Sequence, residues 1–119
     1  MSNIKLRIAD VPFEIPFRIK HDGVAIVVYQ SHEGIRAYED VCPHAAWPLS
    51  SGLVCNGVLE CPGHGWEFNI QTGQCLNAPV YCLTPVNVRV DGDSVHLDYD
   101  PSTFRNGRRL AKNETLSAA

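Results

Sequence analysis

Four residues with metal-binding side chains lie in two short stretches of the sequence. Cys42 and His44 form a Cys-x-His in the first stretch, and Cys61 and His64 form a Cys-x-x-His in the second, with sixteen residues between His44 and Cys61. Thiolates and imidazoles are the ligands of zinc and of iron–sulfur clusters, whereas calcium and magnesium take oxygen ligands. The sequence therefore predicts one of these two kinds of metal site.

The mixture of ligand types within each stretch distinguishes a zinc site from an iron–sulfur cluster. Zinc modules usually bring like pairs, two cysteines from one knuckle and two histidines from another. Here each stretch offers one thiol and one imidazole, which suits two unlike irons if the cysteines bind one iron and the histidines the other. The pattern favours a [2Fe–2S] cluster with two histidine ligands, and a zinc-bound structural or interaction module is the alternative from a different class.

Size, cysteine count and charge narrow the class of protein. The 119 residues suit a single domain over 1–119, and five cysteines without an export-like apolar segment argue for a reducing, cytoplasmic setting rather than a disulfide framework. Residues 1–100 carry 12 acidic and 6 basic side chains, while 101–119 form a polar, basic tail. An acidic body predicts no nucleic-acid partner, and the longest apolar run, VAIVVY, is too short to cross a membrane.

Alternating apolar and polar residues predict an all-β fold. Turns at His21-Asp22-Gly23, Ser31–Gly34, Gln71–Gln74 and Asp91-Gly92-Asp93 separate the predicted strands. These strands cover 16–22, 23–30, 34–40, 57–61, 66–70, 74–79, 86–90 and 94–99.

The sequence CPH, a sixteen-residue gap and then CPGHGW, within an all-β chain, resembles the Rieske family, and most closely its small soluble ferredoxins. The resemblance implies an antiparallel β-sandwich or barrel base, about 1–41 and 81–100, with a small inserted cluster-binding subdomain, about 42–80. It implies one [2Fe–2S] cluster per chain. Cys42 and Cys61 would bind the inner iron, and His44 and His64 the outer, more exposed iron.

The resemblance also implies a function. A fully coordinated cluster leaves no open position for substrate, so we expect an electron carrier rather than an enzyme. The expected partners are a flavin-dependent ferredoxin reductase and a terminal oxygenase such as an aromatic-ring dioxygenase, docking transiently on a monomer. The alternative is a small Rieske subunit of a larger enzyme such as an assimilatory nitrite reductase.

Two departures from the respiratory and photosynthetic Rieske proteins predict a low potential. Trp47 and Gly63 stand where those proteins place a disulfide, and Trp66 and Phe68 stand where they place serine and tyrosine hydroxyls. Losing hydrogen bonds to the cluster lowers its reduction potential. We therefore expect about −150 mV, at the low end of the range for Rieske clusters. The remaining cysteines, Cys55, Cys75 and Cys82, are expected to be buried or half-buried thiols. The residues expected around the cluster or at its partner-facing rim are Pro43, Trp47, Pro62, Gly63, Gly65, Trp66 and Phe68.

Overall fold

The computed structural model of the chain describes residues 2–43, 47–63 and 65–104, which contain nine β-strands, three short 3₁₀ turns and no α-helix. The strands are β1 Ser2–Arg7, β2 Phe17–His21, β3 Val24–Ser31, β4 Gly34–Glu39, β5 Leu53–Cys55, β6 Val58–Glu60, β7 Glu67–Asn69, β8 Pro85–Asp91 and β9 Ser94–Tyr99. The all-β prediction is confirmed.

Six strands form a sheet in the order β1-β9-β8-β4-β3-β2, which curls into a nearly closed barrel. All its strand pairs are antiparallel, and the β4–β8 pair is the shortest, with only Ala37 opposite Val86 and Tyr38 opposite Pro85. The other three strands form a separate antiparallel sheet in the order β5-β6-β7, inside the predicted insertion 42–80.

Strand β3 explains the continuous apolar run in the sequence, because both of its faces are buried. Val24, Ile26 and Val28 point into the barrel core, whereas Val27 and Tyr29 belong to a second core on the other side of the strand. A strand covered on one face alternates apolar and polar residues, but one covered on both faces has no polar positions. The second core lies between the barrel and the three-stranded sheet.

Tight turns fix two of the hairpins. Asp22 and Gly23 join β2 to β3, and Asn56 and Gly57 join β5 to β6, all four with φ between 51° and 81°. This left-handed conformation at both central residues gives the turn type whose twist matches the flanking strands, and Asn-Gly and Asp-Gly are its preferred sequences.

The strand predictions were incomplete at three places. Strands β1 and β5 were not predicted, although Ser2–Arg7 alternates polar and apolar residues and Asn56-Gly57 is a strong hairpin signal. The predicted strand 74–79 is wrong, because only Gln74 and Cys75 form isolated bridges, with Cys82 and Phe68. Within this loop only Cys75 is fully buried, while Leu76 is 50% exposed and Pro79 is exposed, so its apolar residues do not mark one buried face of a strand.

The first residues of the predicted tail dock on the body. Asp100 caps a 3₁₀ turn at Pro101–Thr103 by accepting the backbone N–H of Ser102. Phe104 is then fully buried in the barrel core, where its ring stacks on Tyr99 at 5.0 Å and 19°. The rest of the tail, 105–119, lies outside the described residues.

We expect Phe104→Ala to destabilise the barrel strongly, because it leaves a cavity at a fully buried ring. The expected loss is about 3–5 kcal/mol of unfolding free energy. The matched control is Phe13→Ala, since Phe13 is 45% exposed and its loss removes less buried area than the loss of Phe104. Thermal unfolding followed by far-UV circular dichroism measures both, and equal midpoints for the two variants would contradict the docked position of Phe104.

Candidate metal centre

The two cysteine loops have the same local architecture. In the first, Cys42-Pro43 is followed by Trp47, and in the second, Cys61-Pro62 is followed by Trp66. Each cysteine donates its backbone N–H to the carbonyl of the tryptophan five residues later, at 2.8 Å in the first loop and 2.7 Å in the second. Each loop is therefore closed at its base.

Both cysteines lie in the second core. Cys42 and Cys61 are each 1% exposed and pack within the same buried cluster as Leu49, Leu59 and Phe68. Cys42 follows β4, and Cys61 follows β6, so the barrel supplies one thiol and the three-stranded sheet the other. Two thiols in one apolar core provide soft ligands in the surroundings that a sulfur-bound metal prefers.

A buried carboxylate anchors the first loop. Asp40, with a fully buried side chain, accepts the backbone N–H of Ser50 at 2.7 Å and the Ser50 hydroxyl at 2.6 Å. It also accepts a hydrogen bond at 2.9 Å from Nη1 of Arg18, which lies on the edge strand β2. Asp40 thus ties the residues on both sides of the loop to the barrel. The sequence pattern did not single out Asp40, because its contacts with Ser50 and Arg18 form only in the folded chain.

A second anchor joins the barrel to the three-stranded sheet. The Tyr38 hydroxyl of β4 donates to the Ile70 carbonyl, just after β7, at 2.7 Å. Burial raises the pKa of Tyr38, with the nearby Arg36 opposing it as a smaller effect. The phenol therefore stays neutral and keeps its proton for this hydrogen bond.

The two loops touch through Trp47 and Gly63. A Cβ atom at Gly63 would lie 2.5 Å from Cδ1 and 2.6 Å from Cε2 of Trp47, and would also contact Nε1. The indole therefore lies directly on the Gly63 backbone and leaves no room for a side chain. Trp47 and Gly63 are also the two positions at which the sequence predicts that no disulfide joins the loops.

The predicted rim residues divide into exposed and buried sets. Trp47 is 47% exposed, and Pro62, Gly63 and Gly65 are exposed, whereas Pro43 is half-buried. Trp66 is half-buried and packs against Tyr81, with ring centroids 5.4 Å apart. Phe68 is fully buried. Phe68 therefore belongs to the core under the loops and is not available to a partner.

The other three cysteines differ in burial. Cys75 is buried as expected, but Cys55 and Cys82 are exposed. None of the five cysteines, all of which lie in the described part of the chain, is in a disulfide. Cys75 is fully buried in the second core whereas Cys82 is exposed, and both are free thiols.

His44 and His64, the two predicted imidazole ligands, lie outside the described residues. The described ranges contain no group of three or more Cys, His, Asp or Glu side chains placed to hold a metal ion. His21, which was not a predicted ligand, instead lies 2.9 Å from the Tyr99 hydroxyl through Nδ1. Within 2–43, 47–63 and 65–104 we also find no helix long and apolar enough to cross a membrane.

A small β-barrel with a loop-rich insertion that buries two cysteine loops in one core is the architecture of a metal-binding domain. The Rieske [2Fe–2S] domain family matches residues 4–89, which is more than half of the chain. The protein therefore belongs to the Rieske [2Fe–2S] domain family, whose cofactor is one [2Fe–2S] cluster per domain.

Individual relatives agree with this family. The chain is 36% identical over 77 residues to the ferredoxin component of the alkene monooxygenase system of Xanthobacter autotrophicus, covering 63% of each chain. It is 30% identical over 91 residues to the ferredoxin component of the naphthalene 1,2-dioxygenase system of Pseudomonas aeruginosa, covering 72% of this chain and 88% of that one. The match thus spans slightly less than two thirds of the first relative.

A solved structure shows the same fold. The chain is similar to one described as a complex of reduced oxygenase and oxidized ferredoxin in carbazole 1,9a-dioxygenase. The TM-score is 0.71 at 30% identity, and the match covers 79% of this chain and 99% of that one. The expected Rieske-type architecture is confirmed.

We expect Asp40→Asn to weaken the anchor of the first loop, because a carboxamide cannot accept from Ser50 and Arg18 as the carboxylate does. The expected loss is about 1–3 kcal/mol, which lowers the thermal midpoint by roughly 3–18 °C in a domain of this size. The control is Asp10→Asn, which removes the exposed Asp10–Arg7 pair and should cost under about 1 kcal/mol. Equal thermal midpoints of Asp40→Asn and Asp10→Asn, measured at one scan rate, would refute the anchoring role of Asp40.

Proposed function

We propose that this protein carries one electron at a time from a flavin-dependent ferredoxin reductase to a terminal oxygenase, on a Rieske cluster bound by Cys42, Cys61, His44 and His64. The observation that supports it most is the pair of cysteine loops buried in a single core, within a chain of the Rieske family. The cluster would supply reversible one-electron transfer.

The ligand assignment rests on the chemistry of the two loops. Cys42 and Cys61 share one apolar core, which fits thiolates that bind the same iron. His44 and His64 are the remaining soft donors of the loops, one in each. Cys75 is also buried in this core but follows β7, outside both loops. We therefore assign no ligand role to Cys75.

The described side chains around the loops suit a carrier. Trp47, Pro62, Gly63 and Gly65 present an apolar or backbone surface beside the ligand positions, and half-buried Pro43 borders it. Small contact areas favour short-lived complexes, which a carrier needs because it must leave each partner after every transfer. We propose that partners dock at this end of the molecule, opposite the barrel core.

The partners are proposed by similarity. Two relatives are named as ferredoxin components of oxygenase systems, and one similar structure is described as an oxygenase–ferredoxin complex. An aromatic-ring dioxygenase or a related oxygenase is therefore the proposed acceptor. We further propose that the chain acts as a cytoplasmic monomer that meets the reductase and the oxygenase in turn.

Exchange of single cysteines tests the ligand set. We expect Cys42→Ser and Cys61→Ser to remove the visible absorbance of the protein and to lower its two irons and two acid-labile sulfides per chain. Cys75→Ser is the matched buried control and Cys55→Ser the exposed one, and both should keep iron and sulfide. A colourless wild-type protein with one zinc per chain would instead establish the structural zinc module.

Electron transfer with purified partners tests the carrier role. We expect the protein to be reduced by a flavin-dependent ferredoxin reductase and to reoxidise when a terminal oxygenase turns over, at a potential below zero and about −150 mV. Gel filtration should show a monomer before and after reduction. Stoichiometric co-elution with a larger reductase would favour the permanent-subunit alternative, and a potential well above zero would contradict the low-potential assignment.

A further inference from the structure

We propose that the indole of Trp47 and the backbone of Gly63 form a non-covalent clasp that positions the two histidine-bearing loop segments. This inference rests on the proposed ligand set. Trp47 follows His44 by three residues, and Gly63 directly precedes His64. The contact therefore connects the chain segments that carry the two imidazoles.

The geometry of the contact is a ring lying on a peptide backbone. Three atoms of the five-membered indole ring, Nε1, Cδ1 and Cε2, lie where a Cβ of residue 63 would be. A Cβ atom essentially never lies 2.5–2.6 Å from a non-bonded heavy atom, so an alanine at this position must displace the indole or move the loop. Glycine is required at 63 because of this lack of space.

Gly65, in the same loop, is constrained differently. Its φ is +72°, a left-handed conformation that side chains rarely adopt, while the nearest atom that a Cβ there would meet among the described residues is Glu60 Oε2, at 3.4 Å. Space is thus the constraint at Gly63 and backbone conformation is the constraint at Gly65. Substitutions at the two glycines can therefore be told apart by their dependence on Trp47.

Trp47 serves both loops at once. Its carbonyl accepts the Cys42 N–H and closes the first loop, while its side chain reaches the second loop at Gly63. The side chain is 47% exposed, so much of its surface packs on the loops and not in a core. The Cys42 and Cys61 side chains are fixed by the second core, and the clasp joins the two loops outside that core.

This arrangement predicts what happens when the clasp is lost. The barrel and the second core keep their packing, because Trp47 belongs to neither core. The two loops then lose their contact outside the second core, so we expect the proposed imidazole ligands to be held less tightly. Release of the cluster should become faster and its reduction potential should shift, while unfolding of the barrel changes little.

A double-mutant cycle with Trp47→Ala, Gly63→Ala and the double variant tests the clasp on the cluster-loaded protein. We expect each single variant to lose visible absorbance in excess chelator about tenfold faster than wild type, equivalent to about 1.4 kcal/mol. In the Trp47→Ala background, Gly63→Ala should add no further acceleration, because the new Cβ then has room. The control Leu53→Ala removes another exposed apolar side chain, 72% exposed, from the same subdomain and should not change the rate.

Reduction potential and the electron paramagnetic resonance spectrum of the same four proteins distinguish positioning from plain destabilisation. Both should shift in the single variants while the far-UV thermal midpoint stays near the wild-type value. If Gly63→Ala does not retain a cluster, recovery of the cluster in the double variant supports the clasp, and no recovery overturns it. Wild-type kinetics in Gly63→Ala, or equal effects of Gly63→Ala with and without Trp47, would also overturn it.

Failure of the proposed function would look different. A wild-type protein that contains zinc or no chromophore refutes the Rieske assignment, whatever the variants do. If the wild-type protein has normal iron, sulfide and spectrum but the effects of Trp47→Ala and Gly63→Ala are additive, only the clasp is refuted.

Discussion

Burial of strand β3 on both faces is the constraint on which the rest of the structure depends. Val24, Ile26 and Val28 fill the barrel, and Val27 and Tyr29 begin the second core that holds Cys42 and Cys61. At about 25 cal/mol per Å² of apolar surface, each of these side chains contributes roughly 1.5–3 kcal/mol by burial. The barrel and the candidate metal centre are therefore stabilised by opposite faces of one strand.

This division gives the cysteine loops a rigid base. The Asp40 carboxylate and the Tyr38 hydroxyl connect the barrel to the loops and to the three-stranded sheet, and each cysteine amide closes its own loop. Trp47 and Gly63, where the two loops meet, are exposed. A rigid base suits electron transfer because a site that moves little between oxidation states needs little reorganisation.

Much of the fold could be predicted from the sequence, because hairpin strands have a period of two and their Asp-Gly turn is a local signal. Strand β5 was missed although the Asn56-Gly57 turn that joins it to β6 is a local signal, and 74–79 was misassigned because its apolar residues do not share one buried face: Cys75 is buried, whereas Leu76 is 50% exposed. The ligand pattern was visible because it is a matter of residue type and spacing. The contacts of Asp40 with Ser50 and of Trp47 with Gly63 were not visible, because they form only in the folded chain and follow no spacing rule.

The most direct test of the central claim is pulsed electron paramagnetic resonance of the reduced protein, with and without ¹⁵N-labelled histidine. Two imidazole nitrogens bound to the cluster should give two strong nitrogen couplings that change with the label, and His44→Ala or His64→Ala should remove one of them or the cluster itself. A reduced cluster with only weak nitrogen couplings, unaffected by labelling histidine, would contradict ligation by Cys42, Cys61, His44 and His64.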